Sequence, residues 1–144
     1  MQRAEPSQPE GGWVVYHFIT RRGESVIIRW LRKERVSARQ RGTMQDKINA
    51  LESGGEEMVP GLIVGPVAPD IYKMKIKGNR GDVQLRPHLC RGPFSEREFT
   101  LLAGAVEKDR VLRPRDVAKR SQENRTILLE NPERRRHERI ERES

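Results

Sequence analysis

The sequence predicts an α+β fold: a small, mainly antiparallel sheet with two N-terminal helices on one face and a C-terminal helix. Three observations carry that expectation. "WVVYHFIT", Trp13 to Thr20, is dense in β-branched and aromatic residues and opens the domain as a strand. Two stretches with apolar residues at helical spacing follow it. Further on, "IYKMKIKGNRGDVQLRP", Ile71 to Pro87, alternates apolar with basic residues and turns on glycine. Helices and strands in separate blocks mark α+β, with the helices gathered on one face of the sheet and the other face free.

The elements follow in order. In the first strand Trp13, Val15, His17 and Ile19 share one side, and Val14, Tyr16 and Phe18 the other. Ser25 is a helix cap ahead of Val26, Ile27, Trp30 and Leu31, and Ser37 caps a second helix whose Met44, Ile48 and Leu51 form one apolar stripe. Gly54 and Gly55 end that helix. From Glu56 to Pro69, Pro60, Gly61, Gly65, Pro66 and Pro69 read as loop. In the hairpin that follows, Tyr72, Met74 and Ile76 point one way and Lys73, Lys75 and Lys77 the other. Val83 and Leu85 return to the core beside Gln84 and Arg86 on the cationic side.

"EFTLLAGAV", Glu98 to Val106, is another strand, and Pro114 opens a last helix with Asp116 in its first turn, running to about Leu129. The expected organisation is a flexible arm over 1–12, one domain over 13–130 and a charged tail over 131–144. That tail, "ERRRHERIERES", has almost no apolar content and reads as an exposed helical extension or as disorder.

Composition narrows the function. Hydrophobic residues make up 34% of the 144-residue chain, below the usual share of roughly 45–50%, so the core is small and the surface ionic. The net charge of +8 points to a phosphate-bearing or acidic partner. A single cysteine, Cys90, precludes an internal disulfide and suits a reducing compartment, and with no signal-peptide core or membrane-length apolar run the expected location is cytoplasmic. His17, His88 and His137 stand far apart without cysteine partners, so no metal is expected. The chain carries neither a phosphate-cradling glycine loop nor a nucleophile elbow, which excludes the usual nucleotide hydrolases and acyl transferases, and no cofactor is expected.

What remains is the basic sheet face: Lys73, Lys75, Lys77 and Arg86, with Arg80 in the turn, Lys108 at the end of the next strand and Arg110 just beyond it. Cations held on strands can bind a phosphodiester and stabilise the charge of its pentavalent transition state. RNA supplies its own 2′-hydroxyl nucleophile, and His88 is the histidine placed for acid or base work. Against this stands a plainer role, in which edge lysines block strand pairing and aggregation. Trp13 and Trp30 read as core residues rather than base-stacking platforms.

From about Trp13 to Pro132 the order of motifs resembles the RelE/ParE superfamily of type II toxins, in particular its HigB-like, phage-associated branch. "IYKMKIKG" resembles the family's Leu-Tyr-Glu-Leu-Arg-Ile strand, "VQLRP" the next strand with its arginine, "FTLLAGAVEKD" the strand ending in paired lysines, and "RPRDVAKRSQENR" the helix after it. The chain departs from the pattern at Lys73, where the family has glutamate, at Asp109, where it has a second lysine, and in lacking a C-terminal tyrosine.

The resemblance implies an endoribonuclease that cleaves mRNA, commonly on the ribosome, inhibits translation, and is neutralised by a cognate antitoxin with a helix-turn-helix domain. Lys75, Arg86 and Lys108 would then neutralise phosphate in catalysis, with His88 moving protons, and Lys73, Lys77, Arg80 and Arg110 would bind RNA. The alternative is a non-catalytic basic binder, either a ParE-like gyrase poison or an adaptor for nucleic acid or an acidic protein.

Overall fold

A computed structural model of the chain describes residues 12–78 and 83–140. The expected N-terminal arm, apart from Gly12, lies outside the described residues, as do the tip of the "GNRG" turn and Arg80.

Strand β1 (Val14–Phe18) is followed by helices α1 (Val26–Lys33) and α2 (Ala38–Gly54), and a short 3-10 turn, Gly55–Met58. Strands β2 (Ile63–Ala68), β3 (Ile71–Met74), β4 (Gln84–Arg91), β5 (Glu98–Lys108) and β6 (Val111–Arg113) come next, then α3 (Val117–Glu130) and β7 (Arg135–Arg136). The seven strands form one sheet in the order β2-β3-β4-β5-β1-β7, with β6 also on β5. β1 and β5 run parallel, and every other pair among the described residues is antiparallel. The α+β class and its mainly antiparallel sheet therefore stand, on a sheet larger than expected.

Local chemistry accounts for the two N-terminal helices. The Ser25 Oγ accepts the Ile28 backbone N–H and the Ser37 Oγ accepts that of Gln40, so each helix starts where its serine satisfies an otherwise unpaired donor. Helix α2 ends at Gly55, whose φ of 56° suits glycine and where a Cβ would run into the Trp13 indole.

Two hydrophobic clusters lie on opposite faces of the sheet. Ile27 and Leu31 of α1 and Met44, Ile48 and Leu51 of α2 pack with Val15, Met74, Leu89 and Phe99 of the strands. Leu128 of α3 packs with Phe18, Ile71, Cys90 and Leu102. Leu89 and Cys90 are neighbours in β4 and so project to opposite faces, one into each cluster. The expected free face is thus covered in part by α3, because Phe18, Ile71, Cys90 and Leu102 present apolar surface that has to be removed from water.

Two further corrections concern backbone hydrogen bonds. The expected loop over 56–69 contains β2, which pairs with β3 at Ile63↔Met74 and Val64↔Lys73 before its register shifts towards Ala68↔Ile71. Its glycine and proline are tolerated because β2 is the edge strand of the sheet among the described residues. The expected exposed tail is instead tied down as far as Ile140. β7 pairs with β1, Arg134 donates to the Ile19 carbonyl at 3.0 Å, and Arg135 meets Glu98 at 2.6 Å. Ile140 is buried in the first cluster.

Candidate nucleic-acid interface

Strand pairing sets the basic face. Lys73 lies opposite His88, and Ile76 bridges Leu85, so the same register places Lys75 opposite Arg86. Tyr72, Met74 and Ile76 pack into or against the cluster beneath α1 and α2, which leaves Lys73, Lys75 and Lys77 on the opposite face. Lys75 and Lys77 are exposed, and Lys73 is half-buried. Among the described residues none of the three is in a salt bridge, and neither is Lys108.

Arg86 shares that face but is only 6% exposed. Its Nε donates to the Glu107 carboxylate at 2.7 Å, and its NH1 nitrogen donates to the Leu85 carbonyl at 2.9 Å and reaches the Ile76 carbonyl at 3.5 Å. The guanidinium is occupied inside the protein, as desolvation of a cation requires. His88 has no exposed surface. Its Nδ1 lies 2.9 Å from the Arg86 carbonyl, so Nδ1–H donates and Nε2 carries the lone pair, with no partner among the described residues. Burial pushes its pKa down to about 4, with Lys73 adding repulsion and the carbonyl contact opposing the shift. His88 is therefore neutral at pH 7 and shielded from any molecule lying on the lysines.

Lys108 points elsewhere. Val106 belongs to the first cluster and Glu107 reaches Arg86 on the lysine face, so alternation returns Lys108 to the side of α1 and α2. There it lines a cavity of about 530 Å3 with Glu34, Glu107, Asp109 and Arg113. Arg110 is exposed in the tight turn after β5, where Asp109 and Arg110 both take positive φ. The structure thus brings Lys73, Lys75 and Lys77 together, encloses Arg86 and His88 beneath them, and sends Lys108 to the opposite side.

Other cations escape a reading based on strand alternation. Arg29 and Lys33 of α1, Arg113 of β6 and Arg120 of α3 line one cleft of about 560 Å3. They are scattered between positions 29 and 120 and carry no shared local pattern; only the i, i+4 spacing of Arg29 and Lys33 hints that those two share a helix face.

The chain matches no known family model, no curated protein and no solved structure. Among the described residues no cluster of three or more His, Cys, Asp or Glu side chains could hold a metal ion, and no helix is long and apolar enough to cross a membrane.

Proposed function

We propose that the protein binds the phosphate backbone of RNA along Lys73, Lys75 and Lys77, as the RNA-binding function of a cytoplasmic toxin that acts on mRNA to inhibit translation and is neutralised by a cognate antitoxin. The observation that carries this reading is the alignment of three lysines on one face of the sheet, free of ion pairs among the described residues. Cations left unpaired repel one another, and a polyanion laid across them relieves that repulsion while releasing its counterions. RNA is preferred over duplex DNA because a flexible single strand can follow a short row on a twisted sheet.

Hydrolysis of the bound strand is the more demanding part of the reading. Lys75 and Lys77 can stabilise charge on a phosphate, yet Arg86 is paired to Glu107 and His88 is enclosed. That geometry favours binding without cleavage as the second reading, and ribosome contact, gyrase poisoning or an adaptor role then compete as its outlet. Induced expression of the wild-type chain and of a Lys73→Ala/Lys75→Ala/Lys77→Ala variant, with primer extension on cellular mRNA and RNA binding by fluorescence anisotropy, is the test. Cleavage and binding both lost in the variant support the nuclease. Binding without cleavage supports the second reading, and equal RNA affinity of the two proteins overturns both.

A further inference from the structure

Strand β5 is flanked on one side by two different partners. β1 pairs with it up to His17↔Leu101, and β6 joins only at Val106↔Arg113. Between them, among the described residues, the β5 edge from Leu102 to Ala105 has no strand neighbour on this side, and the cleft of about 560 Å3 opens at this gap. Gly104 lets the Trp30 ring settle onto the strand beside this gap, since a Cβ there would collide with it. α1 forms one wall and α3 the other, and the Asn124 Nδ2 donates to the Leu102 carbonyl at 2.8 Å across the floor.

The lining divides by chemistry. Val26, Trp30, Ala103 and Pro114 supply an apolar floor, and the Nε1–H of Trp30 finds no acceptor among the described residues. Arg29, Lys33, Arg113 and Arg120 supply four cations from three separate elements. Arg120 is shared with Asp116 at 3.1 Å, whereas Arg29, Lys33 and Arg113 have no salt bridge among the described residues. Glu34 is the one carboxylate of the lining. Exposed arginines on a single helix are ordinarily just solvated. Here the cations stand round one concavity whose size suits a small organic ligand, and rigid elements hold their backbones there.

We propose that this cleft binds a nucleoside phosphate, with the base against the floor at Trp30, Ala103 and Pro114 and the phosphate among Arg29, Lys33 and Arg113. Guanidinium forks match phosphate oxygens, and an aromatic base suits an apolar floor. The proposal does not rest on the lysine row, which lies beyond β4 on the far side of β5 from this gap.

Isothermal titration of the full chain with adenosine 5′-monophosphate, adenosine and inorganic phosphate tests it. Saturable binding of the monophosphate is expected, tighter than either fragment. Loss of one charge-assisted hydrogen bond corresponds to about tenfold or more in affinity, so Arg29→Ala/Arg113→Ala weakens binding by at least that factor. Lys47→Ala removes an exposed charge that does not line the cleft and leaves affinity unchanged. Should the double variant melt like an unfolded chain, Lys33→Glu on the exposed face of α1 replaces it with the same expectation. No saturable binding of the monophosphate, equal affinity in the cleft variants, or inorganic phosphate binding as tightly as the nucleotide each overturns the proposal.

Discussion

The Arg86 guanidinium meets the Glu107 carboxylate at 2.7 Å across β4 and β5, with the arginine side chain 8% exposed and the glutamate 23%. This pairing assigns Arg86 to the fold before it can serve a ligand. Removing one partner of an enclosed ion pair leaves the other charge without compensation, which costs about 3–5 kcal/mol when burial is complete. Glu107 keeps some contact with water, so Arg86→Ala should lower stability by about 2 kcal/mol, and an Arg86→Ala/Glu107→Ala cycle should show positive coupling in chemical denaturation. A denaturation curve unmoved by Arg86→Ala would return the guanidinium to the candidate site.

RNA affinity should depend on salt in proportion to the lysines engaged. With about three phosphates neutralised on a single strand, the slope of log affinity against log salt is expected near −2. Each of Lys73→Ala, Lys75→Ala and Lys77→Ala should flatten it by roughly 0.7. Anisotropy titrations at several potassium chloride concentrations measure this, and an unaltered slope in the Lys75→Ala protein would contradict contact at that position.

Acid should unfold the protein through two buried histidines. The His17 pKa is lowered to about 4, by burial first and then by His137 and Arg136, and that of His88 to about 4 by burial first. Both folded values lie below the unfolded value near 6.5, so the unfolded chain takes up protons first as pH falls. The stability these groups contribute is complete above about 6.5 and is lost between there and 4, by about 3 kcal/mol for each histidine at pH 4. Thermal melts from pH 7.5 to 4 should show the decline, and His88→Gln should reduce its steepness. A flat profile for the wild type would contradict the enclosure of both rings.

The C-terminal segment should prove structural. Arg135 lies over the Tyr16 ring at 3.8 Å and pairs with Glu98, whose Oε2 also accepts the Phe94 and Ser95 backbone N–H groups. Arg135→Ala removes the cationic partner of a carboxylate that is 5% exposed and keeps the two backbone N–H groups, and is expected to cost about 2 kcal/mol. Ile140→Ala opens the first cluster and should cost about 2–5 kcal/mol. Denaturation midpoints equal to wild type in both variants would show that residues 131–140 contribute nothing to the fold.

Legibility in the sequence followed the range of the interactions concerned. Ser25 and Ser37 announced their helices because a cap bonds to an N–H only three residues away. The facing of Lys73, Lys75 and Lys77 was readable because alternation is a property of a single strand. β2 was hidden, since Gly65 and Pro66 carry breaker signals and only pairing to β3 makes the segment a strand. Residues 134–136 looked like a solvated tail because their partners, Ile19, Glu98 and Gly23, lie far earlier in the chain. The fate of His88 was equally hidden: nothing beside it in sequence announces that a histidine following Pro87 loses all contact with water.

By itself the sequence determined the α+β class, the two capped helices and the row of lysines, all of which depend on contacts within a few residues or on a regular period. Tertiary structure alone decided which cations are available. Arg86, Arg134 and Arg135 find carboxylates or carbonyls when distant strands close, while Arg29, Lys33 and Arg113 are brought to one cleft by a gap between β1 and β6. A charge carries no local mark of its partner, because Coulomb attraction and desolvation depend on distance and burial in the folded chain and not on separation along it.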